Sequence, residues 1–237
     1  MKVDELTGAL LADLRPYIRK MSLQDFQDIA FVDEPGGGFS ARVVDGRVEF
    51  NRRYFAEKFE LVSQGDMAAY SDLLNTLHHE LCHVDVDCKM PFLTRHLSDN
   101  EIFPLGIAFR FTREFLACLG SKETMTADIL RAQNIGGVQE INALSKKRDL
   151  KSYCKIVCNL AYLVGDCIHA PCDYFTSACN AMEDERIAML ARHFLSIMSE
   201  LEKKLPLEKE EQLSSLCDAI RIGWQYYSRS VRVGNDF

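Results

Sequence analysis

Five consecutive residues, His79-Glu80-Leu81-Cys82-His83, have the spacing in this chain that is most specific to a chemical function. Histidines four residues apart on an α-helix project from one face about one turn apart, so His79 and His83 can bind the same metal ion. Glu80 lies about 100° around the helix from His79, where its carboxylate can reach a water molecule on the ion without being a ligand. The pattern therefore predicts a metal-dependent hydrolytic site with Glu80 as the general base.

The side of this helix opposite to the histidines is apolar. It carries Leu73, Leu74, Leu77, Leu81 and Val84. Such an arc predicts a helix that packs one face into the core and turns the other towards the ion. Asp66 is placed to cap its N-terminus, and neither Gly nor Pro interrupts the sequence before about residue 87.

A catalytic zinc ion needs a third protein ligand besides the two histidines, with one position left open for water. The pattern in which a third histidine follows the motif is excluded, because Val86 and Lys89 stand where it requires Gly and His. Glu114 is the preferred third ligand, because it is an acid on an otherwise apolar helix and a buried carboxylate needs a partner such as a cation. Glu101 and His96, both in the preceding loop, stay open as alternatives.

The elements that must position these residues follow from periodicity and turn signals. A helix is expected over 3–20, and a Gly-rich turn at 35–38 with a second turn at Asp45-Gly46 predicts three antiparallel strands between Ile29 and Asn51. Further helices are expected over about 66–87, 105–120, 123–134, 138–147, 150–168, 173–204 and 207–230, with 88–104 as a loop. Strands confined to the first quarter indicate an α+β fold with a small N-terminal antiparallel sheet and a mostly helical C-terminal part.

Composition and charge narrow the class of protein. The chain has 237 residues, of which 47% are hydrophobic, as in globular proteins with a substantial core. Lys and Arg number 28 against 35 Asp and Glu, and a net charge of −7 disfavours binding to nucleic acid or to an anionic membrane. Without a recognisable secretory leader or membrane span, we expect a cytoplasmic protein. Its nine cysteines are expected to be free thiols.

A strand meander, HExxH on a helix and a glutamate on a following helix together resemble the minimal gluzincin metallopeptidases, and the ImmA/IrrE-like regulatory proteases in particular. The likeness covers about residues 28–120. We therefore expect a zincin-like catalytic domain over 1–135 and a helical extension over 136–237, with one compact domain as the alternative.

The resemblance also implies roles for individual residues. In that family the two motif histidines and the downstream glutamate bind zinc and the motif glutamate activates water; the matching positions are His79, His83, Glu114 and Glu80. The family's edge strand, which pairs with an extended substrate, matches Val48 to Asn51. Many relatives have Ala-Asp or Ala-Asn shortly after the downstream glutamate, whereas this chain has Ala117-Cys118.

These expectations combine into one function, a zinc-dependent endopeptidase with one Zn²⁺ ion and a protein or peptide substrate. Two alternatives stay open, a zincin-fold regulatory or sensor module with little or no proteolysis, and a secreted effector protease. The helices after residue 135 are a candidate surface for a protein partner. Tyr70 and His96 are candidate hydrogen-bond donors to the transition state, and the sequence does not choose between them.

Overall fold

A small sheet near the N-terminus contains three strands, β1 (Ile29–Val32), β2 (Ala41–Val44) and β3 (Arg47–Asn51). In the computed structural model, which describes residues 2–33, 39–170 and 172–229, the strand order is β1-β3-β2. β2 and β3 form the predicted antiparallel hairpin, but β1 runs parallel to β3. The prediction of a wholly antiparallel sheet is therefore wrong, and the sheet is mixed.

Aromatic packing accounts for the position of β1 beside β3. Phe31 of β1 packs against Phe50 of β3 and against Phe55, with ring centroids 6.3 and 4.5 Å apart. Because β3 is paired on both sides, the expectation that Val48 to Asn51 forms an edge strand is wrong. The Gly-rich turn expected at 35–38 lies outside the described residues.

The hairpin turn is formed by Asp45 and Gly46, whose φ angles of 49° and 76° are both positive, as a two-residue hairpin turn requires. The chain that leads into β1 lies directly against this turn. The amide of Gln27 donates to the carbonyl of Gly46 at 2.9 Å, and a Cβ added to Gly46 would overlap the carbonyl oxygen of Asp25. Both the backbone conformation and the lack of space therefore require glycine here.

Three helices share a hydrophobic core with the sheet: α1 (Val3–Ile18), α2 (Arg52–Ser63) and α3 (Met67–Lys89). The buried members of this core are Leu6, Leu10, Leu14, Val48, Phe50, Phe55, Leu73, Leu77 and Leu81. α2 is absent from the predicted elements, because it begins directly at the end of β3. Asn51 ends the strand and also caps the helix, its side chain accepting hydrogen bonds from the amides of Arg53 and Tyr54.

The remaining chain is helical, with α4 (Ile107–Ser121), α5 (Ala127–Ser145), α6 (Leu150–Cys167), α7 (Cys172–Asn180), α8 (Glu185–Glu202) and α9 (Ser214–Arg229). Together with the N-terminal sheet, these helices confirm the α+β class. Among the described helices, none is both long enough and apolar enough to cross a membrane.

Three helix boundaries differ from the prediction. α5 continues through Gly136 and Gly137, because buried residues such as Ile141 extend its apolar face and outweigh a glycine cost of about 1 kcal/mol each. The helix expected over 173–204 is divided, since Asp184 caps α8 by accepting a hydrogen bond from the amide of Arg186. α9 begins seven residues after the expected start at 207, following a short 3₁₀ turn at Glu210–Leu213.

The chain divides into two compact units. The first comprises Met1–Lys89 and Leu116–Ile129, and the second comprises Met90–Phe115 and Leu130–Phe237. One division between them falls inside the continuous helix α4, between Phe115 and Leu116. The assignment of 1–135 and 136–237 as domains stays a prediction.

Replacing Gly46 with Ala is expected to destabilise the protein more than replacing Gly65 with Ala. Both glycines have positive φ, but a Cβ added to Gly65 meets nothing within 4 Å. The control therefore measures backbone strain alone, about 1–2 kcal/mol. Gly46→Ala adds the overlap with Asp25, about 1–3 kcal/mol more. Urea unfolding of both variants measures the difference in unfolding free energy. Equal losses of unfolding free energy would show that the turn is not in close contact with the segment that precedes β1.

Candidate metal centre

Helix α3 has the two faces that its sequence predicts. Leu73, Leu77 and Leu81 are fully buried on the core side. The helix begins as expected, since the carboxylate of Asp66 accepts hydrogen bonds from the amides of Ala68 and Ala69 at 2.8 and 3.1 Å. The phase of this helix places His79 and His83 together on its other side, and their ring centroids are 4.8 Å apart.

The ligand atoms of His79, His83 and Glu114 all lie within 4.8 Å of one another. In the described part of the chain, they form the one group of at least three His, Cys, Asp or Glu side chains arranged to hold a metal ion. Glu114 lies on α4 two residues before Leu116, where the same continuous helix enters the first unit. Glu114, the preferred third ligand, is the acid in this group, and its role as a metal ligand stays a prediction.

This donor set fits a divalent cation such as Zn²⁺. Zinc ligands bind at about 2.0–2.1 Å, so two ligand atoms of a tetrahedral site lie about 3.3 Å apart. Donor atoms within 4.8 Å can reach that spacing by small side-chain movements. Two imidazoles and one carboxylate leave the fourth position for water, which is the composition of catalytic zinc sites.

Glu80 lies on α3 between the two histidines and is only 7% exposed. It is not a member of the ligand group. Its place on the flank of the ligand face and its burial agree with a base that acts beside the ion. A carboxylate in such a site has few water molecules competing for its proton-accepting oxygens.

Helices α3 and α4 approach each other closely beside the motif. A Cβ added to Gly120 of α4 would lie 2.7 Å from the Sγ atom of Cys82 on α3. Cys118, which is also on α4, has its Sγ atom 3.9 Å from Nδ1 of His79. The absence of a side chain at Gly120 therefore permits a close approach of the two helices, and Cys118 on the same helix contacts a candidate ligand.

His78 is buried beside the motif and supports α3 rather than joining the ligand group. Its Nδ1 atom lies 3.0 Å from the hydroxyl of Thr124, which also accepts from Asn75 and donates to the carbonyl of Ser121. Burial lowers the pKa of His78 to about 4, with a further contribution from the neighbouring His79. His78 is therefore neutral at physiological pH and links α3 to the segment after α4.

Helix α2 covers the part of the ligand face that precedes His79. The hydroxyl of Tyr54 donates to Asp72 and also lies 3.0 Å from the hydroxyl of Thr76. Lys58 forms an ion pair with Asp72 at 2.6 Å. Burial, with the nearby charge of Asp72, raises the pKa of Tyr54, so this hydroxyl stays protonated. The sequence did not predict α2, so it did not identify Tyr54 or Lys58. Asn51 is a typical helix N-cap residue, and this signal could have predicted the helix that carries both residues.

The alternative ligand Glu101 has partners elsewhere. Its carboxylate accepts hydrogen bonds from Arg95 at 2.7 Å and from the hydroxyl of Ser98 at 2.6 Å. These contacts, led by Arg95, lower the pKa of Glu101 to about 2. Neither Glu101 nor His96 belongs to the ligand group. Tyr70, a candidate donor, has its hydroxyl bonded to Asp13 at 2.7 Å, on the side of α3 away from the histidines.

No protein-family model matches this chain, and comparisons with curated proteins and with solved structures find no match either. The zincin-like fold and the family resemblance therefore stay predictions from the sequence. The residues of this chain and their geometry support a metal centre at His79, His83 and Glu114.

Replacing Glu114 with Ala is expected to lower zinc affinity by about 100-fold or more, because it removes one of three protein ligands. Glu101→Ala is the matched control, since it removes an acid that is bonded to Arg95. Competition with a chromophoric chelator measures both dissociation constants. Equal affinities in the two variants would reject Glu114 as the third ligand.

Replacing Gly120 with Ala is expected to force α4 away from α3, and so to weaken zinc binding and the fold together. Gly136→Ala is the control, because a Cβ there meets nothing within 4 Å. Relative to this control, Gly120→Ala should lose about 1–3 kcal/mol of unfolding free energy through overpacking. The double variant with Cys82→Ala should recover part of the loss, as measured by urea unfolding; no recovery would contradict the contact.

Proposed function

We propose that this chain is a zinc-dependent endopeptidase with a zincin-like catalytic region. The observation that carries the proposal is the convergence of His79, His83 and Glu114 within 4.8 Å, with Glu80 buried on the same helix as the histidines. The spacing of the motif brings two ligands together by local geometry alone. The third ligand comes from a different helix, 31 residues after His83 in the sequence, which an accidental pair of surface histidines does not require.

His79, His83 and Glu114 would hold the ion through two neutral imidazole nitrogens and one carboxylate oxygen. When bound, a zinc ion supplies a Lewis acid that polarises a peptide carbonyl and lowers the pKa of a water molecule towards about 7. The carboxylate of Glu114 would partly neutralise the charge of a bound divalent ion. The site would keep a net positive charge, which would stabilise the negative charge that develops on the carbonyl oxygen.

Glu80 performs the proton transfer in this proposal. Its carboxylate accepts a proton from the attacking water and then donates it to the leaving amine. Its position one residue after His79 keeps it beside the ligand face, while its burial limits competition from bulk water. An ion with a purely structural role does not need a carboxylate there, so an intact Glu80 favours the enzyme over the regulatory module.

The sheet offers an edge for an extended substrate, in a different place from the one that the resemblance implies. β2 is an edge strand of the mixed sheet. Ala41 and Val43 of β2 pack towards the core that includes α3, so this edge lies along the helix that carries the motif. We propose that the substrate pairs with β2 by adding a strand, a mode that reads main-chain hydrogen bonds and tolerates different side chains.

Replacing Glu80 with Gln is expected to leave one zinc ion bound per chain and to lower peptide cleavage by about 10²–10⁴-fold, the usual contribution of a general base. Glu60→Gln, at an exposed position on α2, is the control for the change of charge. Zinc is counted by elemental analysis, and cleavage is measured by mass spectrometry of a proteome-derived peptide library.

The outcomes separate the three candidate functions. Cleavage by Glu80→Gln at the parent rate would show that Glu80 is not the base. A parent chain that binds zinc but cleaves no peptide would favour the regulatory module. Cleavage confined to peptides from a host proteome, with none from the proteome of the producing cell, would favour the secreted effector.

A further inference from the structure

We propose that Cys118 is a positioning residue for the metal centre, which holds the imidazole of His79 so that its Nε2 atom faces the ion. The inference rests on the metal centre proposed above. It assigns a role to a buried thiol that the ligand group does not include.

The contact identifies the nitrogen that is available for the ion. The Sγ atom of Cys118 lies 3.9 Å from Nδ1 of His79. An imidazole binds one ion through one ring nitrogen, and its other nitrogen donates to a neighbouring acceptor in most metal sites. Because Nδ1 faces the thiol, we assign Nε2 as the nitrogen that would bind the ion; in that tautomer Nδ1–H would donate to the sulfur.

The helical spacing of α4 accounts for the position of the thiol. Residues four apart on a helix lie on one face, so Glu114 and Cys118 project from α4 in the same direction. The contact of Cys118 with His79 places this face beside α3, and α4 also approaches α3 closely where Gly120 meets Cys82. One helix thus provides a candidate ligand and, one turn later, the support for another ligand.

The chemistry of sulfur predicts how this support affects the ion. A thiol is a weak hydrogen-bond acceptor, whereas a carboxylate or amide oxygen in the same position accepts strongly. A strong acceptor makes the imidazole a better ligand, and loss of such a partner typically costs 10–100-fold in metal affinity. Cys118 therefore orients His79 while adding little to its basicity. A stronger acceptor at position 118 should raise the affinity for zinc.

The test measures zinc dissociation constants by chelator competition for the parent chain and for substitutions of Cys118. Cys118→Val keeps the size and removes the acceptor, and we expect zinc binding to weaken about 10-fold. Cys118→Asn introduces an oxygen acceptor without a buried charge, and we expect affinity equal to or tighter than that of the parent. Cys179→Val, at a buried thiol that is 2% exposed, is the control and should leave zinc affinity unchanged.

A spectroscopic readout distinguishes positioning from general loss of structure. Long-range ¹H–¹⁵N spectra of the zinc-loaded parent should show the His79 ring protonated at Nδ1 and bound through Nε2. In Cys118→Val the His79 signals should broaden or shift, while those of His169, which bonds Glu202, stay unchanged.

Three results would overturn the inference. Equal affinities of the parent and Cys118→Val would show that the thiol does not support the ligand. A sulfur-to-metal charge-transfer band in the cobalt-substituted parent that Cys118→Val abolishes would make Cys118 a ligand. Failure of the parent to bind zinc at all would reject the proposed centre and this inference together, whereas the first two results leave the centre intact.

Discussion

The close approach of α3 and α4 at Gly120 is the constraint on which the rest of the candidate site depends. Two helices normally pack about 8–10 Å apart, and the distance is set by the side chains at the contact. With only a hydrogen in the side-chain position of Gly120, the backbone of α4 can lie directly against Cys82. The contact of Cys118 with His79 follows from this approach.

Helix α3 buries several polar side chains in and around the HExxH motif. Asn75, His78, Glu80 and His83 are all less than 9% exposed, and burying such groups costs free energy unless each has a partner. Thr124 and Ser121 provide partners for Asn75 and His78. In the proposed centre, His83 would bind the cation, and Glu80 would lie beside the ligand group.

In the proposed enzyme, the mixed sheet determines which strand is free at an edge to pair with a substrate. β3 lies in the centre with both sides paired, and β2 is left at an edge, packed towards α3. The strand order depends on the packing of Phe31, which contacts Phe50 on β3 and Phe55 on α2. In the proposed enzyme, the substrate would pair with β2. The aromatic packing that fixes the strand order involves Phe31 of β1, at the opposite edge of the sheet.

The sequence by itself determined the features that depend only on residues close together in the chain, because local helix and turn geometry fixes them. The phase of α3, its cap at Asp66, the turn at Asp45-Gly46 and the grouping of His79 with His83 all depend on residues no more than a few positions apart. For the same reason the sequence identified Glu114, Glu101 and His96 as candidates but could not settle the choice.

The tertiary structure decided what depends on distant contacts. It placed Glu114 beside the histidines, Glu101 against Arg95 and Cys118 against His79. It also set the parallel pairing of β1. The spacing of residues in the sequence could not predict these outcomes, because each depends on the free energy of packing between segments far apart in the chain. Glu114 and Glu101 are both acids, and they differ in the residues that surround them after folding.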